Sequence, residues 1–260
     1  MSNAAISPEM ENRIQSELDR IESEFDVRIL FACESGSRAW GFPSQDSDYD
    51  VRIVYHHKKD WYLNLEKGRD VIEKPIIDEL DISGWDLDKT LRLLRKSNPN
   101  ILEWTGSPII YREDAAFQAL RDLLDNSFNH RASLLHYLNM GLNNQRQWLL
   151  RDEIKIKKYL YTLRPLLCAQ WVLKHNSQPP MLYDELLRDL HADTQLYDEI
   201  TALVVQKQDM NELDIVPRNE FLNTWIEQTI AAINQEVSDK SDPPSWDSYN
   251  AVFRGIIENH

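Results

Sequence analysis

Apolar positions near the N-terminus fall at helical spacing: Met10, Ile14, Leu18, Ile21 and Phe25 recur every three or four residues after a Ser7-Pro8 start. Serine before proline suits a helix cap followed by a first turn, so one helix precedes the first strand. The pattern then shortens. Residues 27–33, VRILFAC, form a β-branched apolar run that stops at Gly36-Ser37 after two polar residues, as a buried strand would. Residues 38–46 hold Trp40, Gly41, Phe42 and Pro43, so any helix there is short and the rest is loop. Residues 48–55, DYDVRIVY, alternate. Asp48, Asp50, Arg52 and Val54 take one face, and Tyr49, Val51, Ile53 and Tyr55 take the other, which is the core face. Two further strands are expected over 69–74 and 76–82; on the second, Glu79, Asp81 and Ser83 share a face.

From Ser83 onward the period is helical. Helices are expected over 86–97, 113–126, 130–150, 153–175, 181–191, 195–208 and 218–237, with a short turn, NILEWTGS, after Asn98-Pro99. Pro165 lies inside the 153–175 helix and predicts a kink near Tyr161. Residues 238–245 read as a polar linker before a last amphipathic segment, WDSYNAVFRGII. The fold class is therefore α+β, with a compact α/β domain over 1–112 followed by an all-α domain over 113–260. The opening MSNA is set aside as a segment that need not belong to the fold.

Composition narrows the function classes. The chain has 260 residues, 42% of them hydrophobic, enough for a sizeable core, and no run approaches the length needed to span a bilayer. No signal pattern opens the chain, so a cytoplasmic protein with no membrane partner is expected. Cys33 and Cys168 lack pairing or metal-ligand spacing and read as buried thiols in a reducing compartment. A net charge of −14 argues against a broad surface that coats nucleic acid, though a narrow basic groove is compatible with an acidic exterior.

The chemistry concentrates between Phe31 and Val54. A Gly-Ser turn leaving a strand exposes backbone amides and a hydroxyl to phosphate oxygens, with glycine removing the Cβ that would block close approach. Ten residues separate Ser37 from Asp48, and Asp48 and Asp50 present two carboxylates on one face, a donor pair for magnesium. Two carboxylates forced onto one face repel unless something positive lies between them, which favours a metal over a plain polar turn. Arg52 shares that face and either orients the aspartates and substrate or pairs with them as a counterion. A third carboxylate would complete a two-metal site; Asp81 is the choice and Glu79 the alternative.

These residues, together with ESGSRAWGF, DSDYDVR, DISGWDL and YLYTLRPLLCAQW, resemble the polymerase β-like nucleotidyltransferase superfamily. Within it they look like the bacterial and phage group of predicted nucleotidyltransferases linked to RNA-ligase-associated repair, over most of the chain to about residue 187. The resemblance implies a small mixed sheet carrying three carboxylates, two Mg2+ ions with Mn2+ as a substitute, and a nucleoside triphosphate gripped by the Gly-Ser turn. Gly36 and Ser37 would contact the triphosphate. Asp48 and Asp50 would bind metal, and Asp81 would bind the catalytic metal and help deprotonate the acceptor hydroxyl, with pyrophosphate leaving. The acceptor implied first is an RNA end; a protein side chain or small molecule, or a silent nucleotide-binding module, are the alternatives.

Other candidates surround this set. Arg38, beside the turn, either touches phosphate or covers the loop. Arg151, Lys155 and Lys158, with Thr162, would share one helix face and contact triphosphate or RNA, or stand in solvent. Arg164 at the kink is a further nucleotide-binding candidate, and Trp40, Trp85 and Trp104 either stack bases or fill a core.

Overall fold

The computed structural model describes residues 6–66, 68–190, 193–209, 214–237 and 242–259. These form two compact units: one takes described residues 6–39, 48–127 and 243–259, the other 40–47 and 128–242. The sequence placed the division at residue 112, but the chain crosses between units at 39/40, 47/48, 127/128 and 242/243. The C-terminal helix belongs with the sheet because the hydroxyls of Ser127 and Tyr249 are 2.6 Å apart and Arg95 donates to the Pro244 carbonyl at 2.7 Å.

The sheet unit begins with α1 (Pro8–Phe25), capped by Ser7, whose hydroxyl accepts from the Met10 amide. Then come β1 (Val27–Glu34), α2 (Gly36–Trp40), β2 (Tyr49–His57), α3 (Lys59–Leu63), β3 (Val71–Glu73) and β4 (Leu80–Asp86). α4 (Leu87–Arg95), α5 (Pro99–Thr105), β5 (Ile110–Glu113), a 3-10 turn over Ala115–Phe117, α6 (Gln118–Arg121) and α7 (Leu124–Ser127) complete its central part. The strands order as β3-β4-β2-β1-β5, with β2 and β4 parallel and the other pairs antiparallel. Ile14, Leu18 and Ile21 of α1 pack on Ile29, Val51, Ile53, Tyr55, Leu80 and Ile82, so the predicted core face of β2 is the one that is buried there.

The second unit holds α8 (His130–Trp148), β6 (Glu153–Lys155), α9 (Ile156–His175), α10 (Tyr183–Arg188), α11 (Thr194–Asp209), β7 (Ile215–Pro217) and α12 (Glu220–Gln235). α13 (Trp246–Glu258) then returns to the sheet unit. α8 and α9 share a core through Leu134, Tyr137, Leu138, Leu160, Leu163 and Leu167. Pro165 lies within α9 and cannot donate to the Tyr161 carbonyl; the side-chain amide of Asn144 on α8 donates to it instead, at 2.8 Å.

The α+β class stands, and several local expectations change. The strand expected at 76–82 runs over Leu80–Asp86, because Asp78 and Glu79 take positive φ (46° and 65°) and form the turn between Ile77 and Leu80. NILEWTGS is mostly helix: Asn98 caps α5 through its side chain and Pro99 occupies the first turn, a start signal rather than a stop. The single helix expected over 113–126 is instead a 3-10 turn and two short helices. The second unit is not all-α, since β6 and β7 pair as an antiparallel ribbon. Residues 238–241 of the expected linker lie outside the described residues. Among the described residues no helix is long and apolar enough to cross a membrane.

Candidate active site

The register of the two parallel strands brings the site together. Asp50 on β2 lies opposite Asp81 on β4, and Arg52 opposite Ser83. Alternation puts all four on one face of the sheet. One guanidinium nitrogen of Arg52, Nη2, donates to Asp50 Oδ1 and to Asp81 Oδ2 at 2.8 Å each, while Nη1 donates to the Val51 and Asp81 carbonyls. Arg52 therefore pairs with both carboxylates, the counterion arrangement of the two considered from the sequence. Glu79 is exposed on the turn before β4, so Asp81 is the carboxylate that stands beside Asp50.

Gly36 is fixed from two directions. Its φ is +58°, and an added Cβ would lie 2.0 Å from Asp50 Oδ2 and 2.8 Å from Asp50 Cγ. The Gly-Ser turn and the Asp-x-Asp strand thus interlock through the space glycine leaves empty. Ser37 follows, nearly buried at 3% exposure. Arg38 stacks its guanidinium 3.7 Å from the centre of the Tyr49 ring and donates from Nε to the Asp48 carbonyl at 3.2 Å. It tethers the backbone on which Asp48 sits, one residue ahead of β2; the expected strand from 48 starts at Tyr49.

Sequence reasoning missed Glu34. This carboxylate ends β1 fully buried, accepts the Asp50 amide at Oε1 (2.7 Å), and takes the Tyr111 hydroxyl at Oε2. The Ser35 amide donates to the Asp50 carbonyl at 2.8 Å, so both backbone groups of Asp50 are held from the β1 end. Burial pushes the Glu34 carboxyl up to about 7, against the pull of its hydrogen bonds from Tyr111 and the Asp50 amide. The available signal was position: a lone acid at the end of an otherwise apolar strand, two residues before the glycine.

The model of the RNA repair pathway DNA polymerase beta family matches residues 10–255. The chain belongs to that family. Membership makes nucleotidyl transfer the general chemistry and extends the resemblance read from the sequence beyond residue 187, through both units. Among curated proteins, YcgL of Bacillus subtilis (strain 168), described as uncharacterized, is 48% identical over 254 residues, covering 96% of this chain and 97% of its own length. Among solved structures, a nucleotidyltransferase-like protein from Exiguobacterium sibiricum 255-15 is 14% identical with a TM-score of 0.31, covering 96% of this chain and 80% of that one.

Of the residues expected to serve this family's reaction, Gly36, Ser37, Arg38, Asp48, Asp50, Arg52 and Asp81 fall in the sheet unit around the β1–α2 turn and the β2 and β4 strands. Lys155 and Arg164 belong to the helical unit. Lys155 ends β6 and Arg151 precedes it, so neither shares a helix face with Lys158 and Thr162 on α9; the strand pairing of β6 with β7 replaces the expected first turn. Arg164 is 3% exposed, its guanidinium 4.5 Å from the centre of the Trp40 ring, with Nη2 toward the Met181 carbonyl at 3.4 Å. Trp85 and Trp104 pair at 4.1 Å, whereas Trp40 packs with Phe42 and Tyr161.

Among the described residues, no group of three or more acidic, histidine or cysteine side chains is already gathered as a metal cluster. The donor set nevertheless fits a hard cation. Asp50 and Asp81 are close enough to share one nitrogen of Arg52, a positive group between two carboxylates, and Gly36 leaves the space into which Asp50 Oδ2 packs.

Proposed function

We propose that this protein is a divalent-metal-dependent nucleotidyltransferase that moves a nucleoside monophosphate from a nucleoside triphosphate to a hydroxyl acceptor, an RNA end being the acceptor favoured by the family. The observation that carries this reading is the in-register pair Asp50–Asp81, drawn together by Arg52 and set against a glycine that has no room for a side chain.

Asp48, Asp50 and Asp81 would hold magnesium, with manganese as a substitute, in one or two positions. When bound, the metal supplies positive charge to the triphosphate and to the departing pyrophosphate. The protein's own groups do the rest. Glu34 and Ser35 fix the backbone of Asp50, and Arg38 fixes that of Asp48. Gly36 and Ser37 form the turn that would meet the triphosphate. The Asp81 carboxylate takes the proton of the attacking hydroxyl as its oxygen bonds to the α-phosphorus, and the bond from that phosphorus to the bridging oxygen of pyrophosphate breaks. Arg52 keeps the two carboxylates together before substrate arrives. Both cysteines are buried free thiols, in keeping with a cytoplasmic setting.

The test is incubation with each α-labelled nucleoside triphosphate, magnesium and single-stranded RNA, comparing wild type with Asp50→Asn and Asp81→Asn. Label on RNA with stoichiometric pyrophosphate, reduced about a hundredfold or more in either variant, is expected. Pyrophosphate release that survives both substitutions overturns the mechanism. Label on the protein itself would move the acceptor to a side chain, an assignment the net charge of −14 favours over a broad RNA surface.

A further inference from the structure

The helical unit carries a pocket to which the mechanism above assigns no role. It encloses about 580 Å³ and is lined by Trp148 at the end of α8, Arg151 in the following bend, Lys155 at the end of β6 and Lys158 in the first turn of α9, with Ile215 of β7 on one side. That volume lies within the range of about 300–1,000 Å³ common to small-molecule sites. In a chain with 29 basic and 43 acidic residues, a pocket lined by three cations and an indole is a local reversal of sign, only partly offset by Asp152 and Glu153.

Two of the cations lie over the ring. Lys158 Nζ lies 4.0 Å from the Trp148 centroid and the Arg151 guanidinium 5.9 Å from it. A cation over an exposed indole strengthens an equilibrium by about two- to fivefold, whereas a stacked nucleobase contributes about five- to 150-fold. A base can therefore displace the ammonium from the ring, and the released cation then faces the phosphate attached to that base. Aromatic surface and cations at this separation match a ligand that is flat at one end and anionic at the other. Lys158 also lies 5.8 Å from the ring of Tyr161, which packs edge-on against Trp40, four residues after Gly36 in the chain.

We propose that the Trp148–Arg151–Lys155–Lys158 pocket binds a nucleotide unit, base on Trp148 and phosphate on the three cations. That unit comes either from an RNA strand or from a free nucleoside triphosphate. Binding here does not depend on turnover, so the proposal stands or falls separately from the transfer reading.

The experiment is equilibrium binding to the full chain in EDTA, which removes any metal contribution from Asp50 and Asp81. Three probes are used: a fluorescent single-stranded RNA oligomer by anisotropy, and ATP and inorganic tripolyphosphate by calorimetry. The proteins are wild type, Trp148→Ala, the double variant Arg151→Ala/Lys155→Ala, Lys158→Glu, and the exposed control Arg69→Ala, with folding checked by circular dichroism. Expected is binding of RNA or ATP that weakens with salt, drops about tenfold or more in the double variant and in Lys158→Glu, drops about fivefold or more in Trp148→Ala, and is unchanged in Arg69→Ala. RNA binding much tighter than ATP assigns the strand; comparable binding assigns the free nucleotide. Tripolyphosphate binding as tight as ATP and indifferent to Trp148→Ala overturns the nucleotide assignment in favour of a plain anion site. Binding of no probe, or equal binding by wild type and folded pocket variants, overturns the site altogether.

Discussion

Replacing Gly36 with alanine tests the interlock between the glycine turn and Asp50. Two costs add. At φ +58° alanine pays about 1 kcal/mol for a left-handed backbone. Its Cβ would also lie 2.0 Å from Asp50 Oδ2, so the carboxylate must swing away and give up its bond to Arg52. That pair is partly exposed, with side chains 18% and 24% accessible, which keeps the loss near about 1–2 kcal/mol. The expected total is about 2–3 kcal/mol of folding stability, with transfer activity lost as well. Truncating Asp50 to alanine leaves only its Cβ, 3.3 Å from the new methyl, a tight contact that can be tolerated. In that background Gly36→Ala should cost only the backbone term. Urea unfolding of wild type, both single variants and the double variant therefore yields a coupling energy of about 1–2 kcal/mol. If Gly36→Ala costs the same in both backgrounds, to within about 0.5 kcal/mol, the interlock is refuted.

Other outcomes follow from the same geometry. The Glu34 carboxyl titrates near 7 in the folded chain and near its ordinary 4.5 when unfolded, so the folded state binds the extra proton. Stability should then fall as pH rises from about 4.5 to 7, by on the order of 3 kcal/mol. Asp86, pushed up to about 6 by burial, adds a fall in the same direction at lower pH. Urea midpoints at pH 5 and pH 8 should differ less in Glu34→Gln than in wild type. Asn144→Leu should cost about 1–2 kcal/mol by leaving the Tyr161 carbonyl without its donor, and adding Pro165→Ala should recover much of it by restoring a backbone N–H, both read by chemical denaturation. Gly255→Ala on the exposed face of α13, where nothing lies within 4 Å of the new methyl, should raise the thermal midpoint by about 1–3 °C.

Period made most of the elements legible and spacing drew attention to the acidic face of β2, and what escaped has identifiable causes. The Asp-x-Asp alternation showed which face of β2 would be polar, and the structure buries Val51, Ile53 and Tyr55 on the opposite one. Asp81 is already the choice from the sequence, but strand pairing cannot be seen in one segment alone, and the turn that sets Glu79 apart from Asp50 takes its positive φ from residues with no glycine signal. β5, β6 and β7 are only three or four residues long and depend on their partners, so no local pattern announces them. Glu34 stands alone in the sequence with no local partner; only β5, which brings Tyr111 beside it, makes it a buried acceptor. The supposed basic stripe failed because a ribbon strand interrupts the helical period between Arg151 and Lys158.

The order β3-β4-β2-β1-β5 places both β2 and β4 inside the sheet, flanked on either side by other strands. Amides in such strands exchange with solvent only through the largest openings of a domain, while edge strands and loops open far more often. Asp50 and Asp81 therefore keep their spacing through the everyday fluctuations that loosen β3 or β5. Asp48 lies one residue outside the ladder, its carbonyl accepting from Arg38 Nε. Deuterium uptake should be slow across 50–54 and 81–85 and markedly faster across the edge strand 71–73. In the site proposed above, Asp50 and Asp81 are the stationary pair, and Asp48 stands at the border of the sheet.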